Sequence, residues 1–436
     1  MKNIKDVAEI RNIVIDIIFC GFIGFCVSQT DALHNFADMI DIVWQTESYC
    51  ADETLCIEET DIKMSEDNKI QTESLNDVNT HINDFFPMKE ELIGLSGLLM
   101  KTTGVRDYYN DEFGINVTSN GYVIGQYDET STNYEVMQMI ELKKYLDEKG
   151  IKLLYVNEPA KYIDDCVYRN EFGAESYLNR NMDLFLKRIS EAGIDYLDLR
   201  ECIRDDNLDC YSLFYRTDHH WTNPAAKWAA GKIAEKLNQH YGYDINLDLY
   251  DDNNFNYVEY QNCWLGEQGC KLAESYIGLD NYTVVIPLYN TNFCRWMSDA
   301  EAADWTGDTY TEGDFSIFID YSRYEDKYDE KGEMQPAKLN SWHYSYNGDG
   351  NIQNNNVEYG NVLIFGDSYE RNMIPFLSLG IRNIHKIEPR YMTSKDILET
   401  IDNGEFDTVI LTYGQFMVGA HDDINNANYR QFSFFE

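Results

Sequence analysis

VLIFGDSYERN, residues 362–372, decides the fold: an apolar run, then Gly366, Asp367 and Ser368, then a stretch able to turn into a helix. A continuous apolar run bounded by a turn marks a strand buried on both faces, as in a parallel sheet. The residue after such a strand lies at the carboxyl edge of the sheet, where open α/β folds bind their ligands. Backbone N–H groups at the start of a following helix can hold a developing negative charge there. Gly366 lets the chain turn without a Cβ clash. Ser368 is then either a candidate nucleophile or part of a polar turn in which Asp367 or Ser368 caps the helix.

The same alternation recurs outward from this stretch. Residues 133–149 have helical character and stop at Gly150, and IKLLYV, residues 151–156, is a buried strand. A helix over about 175–192 ends at Gly193 and feeds IDYLDL, residues 194–199. Another begins at Asn223 as N-cap with Pro224 in the first helical position, and Ala226, Ala230, Ile233 and Leu237 line one side. TVILTY, residues 408–413, is the last strand. This βα pattern predicts an α/β fold, a parallel sheet with helices on both faces. Residues 241 to about 356 read as a β-rich insertion with strands at YTVVIPLY, 282–289, and FSIFID, 315–320.

Before this core, an amphipathic helix is expected over residues 85–104, and NGYVIG, residues 120–125, reads as a turn and short strand. Residues 31–80 form an acidic tether. Lys2, Lys5 and Arg11 precede an apolar run over residues 13–27, broken by Asp16. Residues 1–30 are therefore a signal peptide or an N-terminal membrane anchor, the alternative being a buried amphipathic helix of a cytoplasmic protein. That leaves one folded domain over residues 81–436.

With 76 acidic against 35 basic residues the net charge is -41, which excludes a nucleic-acid partner, since phosphates would be repelled. Of 10 cysteines, Cys20 and Cys26 lie in the apolar run. The others are Cys50, Cys56, Cys166, Cys202, Cys210, Cys263, Cys270 and Cys294, an even set that predicts disulfides in an oxidising compartment. Cys50/Cys56, Cys202/Cys210 and Cys263/Cys270 are the pairs near in sequence. No C-x-x-C knuckle suggests zinc.

FYRTDHHWTNPAA, residues 214–226, carries the second chemical signal. A serine hydroxyl is a poor nucleophile unless a histidine takes its proton and a carboxylate fixes the tautomer. Asp218 and His220, one residue apart, can meet in a turn. His219 could equally be the base, the Asp-His-His group could bind a metal, and Asp218 could be a simple cap.

Taken together, these motifs resemble the DHHW proteins, relatives of the alginate O-acetyltransferases with an SGNH-hydrolase-like domain. The resemblance is carried by TDHHWTNPAA, the amphipathic segment 85–104, Pro159 and Lys161, Gly366 to Tyr369, Arg390 with Tyr391, and the strand ending at Tyr413. It implies a flavodoxin-like sheet with permuted motif order, the Asp-x-His element preceding the serine. It makes Ser368 the nucleophile, His220 the general base and Asp218 its orienting partner, with His219 and Lys161 structural. The Ser368 N–H, with Tyr413 or Gln415, would form the oxyanion site, and Arg390 and Tyr391 would line the acceptor site unless the arginine serves a buried ion pair. No cofactor or metal is implied. The implied activity is O-acetylation of a cell-surface or exported polysaccharide, outside the cytoplasm, fed by a membrane-bound O-acyltransferase partner. A carbohydrate acetyl esterase and a catalytically inactive polysaccharide-binding or assembly protein are the alternatives.

Overall fold

A computed structural model describes residues 89–102, 109–110, 114–118, 120–161, 168–169, 175–297, 310–321 and 345–435. The chain divides at Glu91/Leu92 into two units, and nearly all described residues belong to the second. The apolar N-terminal run, the acidic tether and Cys50, Cys56 and Cys166 lie outside the described residues.

The centre is an eight-stranded sheet. Its strands in chain order are β1 (Lys152–Glu158), β2 (Asp195–Asp198), β3 (Phe293–Trp296), β4 (Tyr310–Gly313), β5 (Gly350–Asn354), β6 (Asn361–Phe365), β7 (Asn383–Ile387) and β8 (Thr408–Gly414). Their spatial order is β4-β3-β5-β7-β6-β8-β1-β2. From β7 to β2 every pairing is parallel. On the other side of β7 the pairings are antiparallel. The α/β architecture is that read from the sequence, but the described part of residues 241–356 does not stay apart from the core. Three of its strands extend the sheet, and a hairpin, Phe255–Trp264 with Asp280–Pro287, packs beside it.

Six helices matter here: α1 (Lys89–Thr102), α2 (Asn133–Asp147), α3 (Leu178–Glu191), α4 (Leu199–Asp205), α5 (Asn223–His240) and α6 (Ser394–Asn403). The strand period of two splits the core into two layers. Leu153, Tyr155, Leu363, Phe365, Val409, Leu411 and Tyr413 pack with α2, α3 and α6. Leu154, Val156, Val362, Ile364 and Ile410 pack with α5 and the hairpin. On α5, Ala225, Ala226, Ala229, Ala230 and Ala234 are all buried, small enough to bring the helix close to the sheet. Helices α2 and α3 stop at Gly150 and Gly193, where φ is +73° and +76°, a conformation glycine adopts without strain.

Three local expectations need correction. FSIFID is not a strand: Phe315–Phe318 is a 3₁₀ turn, because Asp314 accepts the Ser316 N–H and starts a turn. Thr222, not Asn223, caps α5, its hydroxyl accepting from the Ala225 N–H at 3.3 Å. Among the described residues no disulfide joins Cys202, Cys210, Cys263, Cys270 and Cys294.

Candidate active site

Parallel strands share a carboxyl edge, and the chain places its reactive groups there. Ser368 follows β6 and begins a 3₁₀ turn, Tyr369–Asn372. Asp367 fixes this turn. Its Oδ1 accepts the Tyr369 N–H at 2.6 Å and its Oδ2 the Gly414 N–H at 3.0 Å, tying the turn to the end of β8. Among the described residues the Ser368 N–H has no acceptor.

The Asp-His-His segment approaches from the start of α5. Phe214 and Trp221 form an isolated antiparallel bridge, so residues between them make a tight loop. Asp218 Oδ1 accepts the His220 N–H at 3.0 Å and lies 2.6 Å from His220 Nδ1. His220 Nε2 lies 3.2 Å from Ser368 Oγ. Asp218 is fully buried and His220 nearly so, while Ser368 is half-buried. With its Nδ1–H directed at Asp218, the imidazole presents an unprotonated Nε2 to the serine hydroxyl, as proton abstraction from a nucleophile requires.

Distant segments hold this loop. Asp218 Oδ2 accepts the Glu267 N–H at 2.8 Å. A Cβ at Gly266 would overlap the Asp218 side chain, so only glycine allows this approach. Asp280 accepts from the Arg216 and Thr217 N–H groups at 3.0 and 2.7 Å, and from the Thr217 hydroxyl at 2.6 Å. Lys161 Nζ donates to Val123 O, Arg216 O and Gln268 Oε1 at 2.5, 3.2 and 3.2 Å. Burial pulls this lysine down to about 7, against the opposing charges of Asp280 and Asp218. Trp221 joins the two turns, its indole N–H donating to Tyr369 O and Asn372 Oδ1, both at 3.0 Å. Asn372 in turn donates to Asn223 Oδ1 at 2.9 Å. Sequence reading missed Gly266, Asp280 and Asn372, since nothing local marks them as neighbours of Asp218 or Ser368.

His219 lies against His220 with ring centres 3.9 Å apart and planes tilted by 36°, and it lines a small cleft with Tyr127, Leu178, Asn179, Gln268 and Phe416. Burial and the adjacent His220 push its pKa down to about 3, so the ring is neutral. Tyr127 and Phe416 lie nearly parallel, 11° apart, at 6.2 Å.

The other expected site residues have different employment. Tyr413 lies in the core. It shares its face of β8 with Val409 and Leu411, is fully buried, and its hydroxyl donates to Gln431 O at 2.9 Å. Gln415 is also committed: its amide donates to Asn179 Oδ1 at 2.6 Å and accepts from the Ala160 N–H at 3.1 Å. Arg390 pairs with Glu388 at 2.5 Å, donates to Asn428 and lies over the Tyr391 ring at 4.8 Å. Tyr391 is 75% exposed, and neither residue has a described contact with Ser368 or His220.

No curated protein sequence matches the chain. A family model described as the SGNH hydrolase-like domain of the acetyltransferase AlgX matches residues 119–247, which contain Asp218 and His220 but not Ser368. Among solved structures, Bacillus cereus PatB1 with a sulfonyl adduct is similar at 16% identity and a TM-score of 0.55, over 75% of this chain and 100% of PatB1. A DHHW family protein from Eubacterium siraeum is similar at 17% identity and a TM-score of 0.53, over 74% of this chain and 96% of that protein. The chain thus shares the fold of these structures, and its residues 119–247 match the SGNH hydrolase-like domain of the acetyltransferase AlgX.

Proposed function

We propose that the chain is an O-acetyltransferase that works through an acyl-serine and acetylates hydroxyls of a cell-surface or exported polysaccharide. The observation that carries this reading is the continuous relay from Asp218 through His220 to Ser368 Oγ at 2.6 and 3.2 Å. In the first half-reaction Ser368 Oγ attacks the acetyl carbonyl as His220 Nε2 takes its proton. The proton then goes to the departing group as the acyl–oxygen bond breaks. In the second half-reaction His220 deprotonates an acceptor hydroxyl, which attacks the acetyl-serine, and the proton returns to Ser368 Oγ. Asp218 holds the tautomer and stabilises the imidazolium. The Ser368 N–H is the proposed oxyanion donor.

The AlgX domain match supports acetyl transfer, and the partly exposed rings of Tyr127 and Phe416 beside His219 support a sugar acceptor. A membrane-bound O-acyltransferase as acetyl source, and a location outside the cytoplasm, belong to the same proposal. No helix among the described residues is long and apolar enough to cross a membrane.

The test is transfer. Incubated with p-nitrophenyl acetate and a neutral oligosaccharide, the protein is expected to give acetylated oligosaccharide by mass spectrometry, and Ser368→Ala none. Release of acetate at a rate indifferent to every acceptor would instead identify an esterase.

A further inference from the structure

Beneath the nucleophile turn lies a group of acids that the relay does not use. Glu158 at the end of β1, Asp367, and Glu370 each offer a carboxyl oxygen within 4.8 Å of the others, and all three side chains are fully buried. Their surroundings differ. Asp367 accepts backbone N–H groups with both oxygens, which suits the ionised form. Glu158 accepts from the Thr412 hydroxyl at 2.6 Å with one oxygen, and its other oxygen has no hydrogen bond. Neither oxygen of Glu370 has one.

The facing cation is Lys386, 3.5 Å from Glu370. Its ammonium lies closer to Asp349, at 2.8 Å, and is 3.6 Å from Glu388. Asp349 is also paired with Arg371 at 2.8 Å and Glu388 with Arg390 at 2.5 Å. The three carboxyls therefore share one ammonium that is already engaged, in a site without water access. Three like charges this close and this dry do not coexist.

We infer that Glu370 is carried as a neutral carboxylic acid and in that form acts as a positioning residue for Ser368. A Cβ at Gly366 would overlap Glu370 Oε1, so this carboxyl lies directly on the backbone of the nucleophile turn. A charge on it would stand against ionised Asp367, which holds that turn to β8. Burial pushes Glu370 well above the usual carboxyl range, with Asp367 and Glu158 adding to the shift against the pull of Lys386. Burial and Asp367 raise Glu158 likewise. The neighbouring phenols, Tyr155, Tyr369 and Tyr413, are pushed up by burial and stay neutral. A carboxyl raised in the folded state binds its proton more tightly than in the unfolded chain. Its support for the fold is complete below the ordinary carboxyl pKa and declines as pH rises toward the folded value.

The inference rests on the acyl-transfer reading only for its activity readout. In the full chain, Glu370→Gln, neutral and of the same shape as the acid, is expected to react with a sulfonyl fluoride within about threefold of wild type. Glu370→Leu should react about tenfold more slowly. Between pH 5 and pH 9 the fall in melting temperature should be smaller for Glu370→Gln than for wild type. The infrared band of a protonated carboxylic acid should be present in wild type at neutral pH and reduced in Glu370→Gln. An unchanged melting profile, or absence of that band from wild type, would overturn the inference, the latter even if the variants fail to fold. A stoichiometric divalent cation in the purified protein, removed by EDTA with loss of stability, would overturn it too, by making the trio a metal site. Failure of acetyl transfer with the band present would count against the proposed function and not against the proton.

Discussion

Asp218 and Asp367 each accept the backbone N–H two residues ahead, at 3.0 Å from His220 and 2.6 Å from Tyr369. Both thereby turn the chain at the edge of the sheet, and in sequence the two look alike. What surrounds them is opposite. Asp218 meets donors, the Glu267 N–H and the His220 ring, so its charge is satisfied and can orient a base. Asp367 meets one further donor, the Gly414 N–H, and then two buried carboxyls, Glu158 and Glu370. One aspartate serves the proton relay, and the other anchors the turn that bears the nucleophile. Local sequence gives the turn, and only the distant partners decide which task the carboxylate performs.

Two substitutions probe this difference. Asp218→Asn keeps the turn but removes the charge that fixes the His220 tautomer. Acyl transfer is expected to fall about 10³–10⁴-fold while the melting temperature changes little. A loss below about tenfold would make Asp218 a structural cap like Asp367. Gly266→Ala acts on the same aspartate from outside, forcing the 266–267 backbone away from it. It is expected to cost about 1–3 kcal/mol of stability and to slow transfer about 10–100-fold, with a normal KM. Wild-type kinetics in this variant would show that the Glu267 N–H does not matter to the base.

Much of the frame is legible from periodicity. The apolar runs at β1, β6 and β8 are buried on both faces, and the glycines after α2 and α3 fall where the helices end. The structure brings the two motifs together, with His220 Nε2 at 3.2 Å from Ser368 Oγ. Other features depend on information that neighbouring residues do not hold. Phe315 and Phe318, spaced three apart and both buried, suit a 3₁₀ turn as well as an apolar run suits a strand, and Asp314 decides between them. Tyr413 looked available at a strand end, yet the period of two sets it with Val409 and Leu411 in the core. The spacing of Cys202 and Cys210, or of Cys263 and Cys270, says nothing of where their side chains point. Nor does any local pattern bring Gly266 and Asp280 to the Asp-His-His loop, since these contacts come from the hairpin packing beside α5.

The central claim is that Ser368 is a nucleophile activated by His220. Its most direct measurement is covalent: treat the full chain with a sulfonyl fluoride and locate the adduct by peptide mass spectrometry. Modification of Ser368 alone, abolished in Ser368→Ala and slowed at least about 10³-fold in His220→Ala, is the expected result. An unmodified Ser368, or equal labelling without His220, would contradict the account.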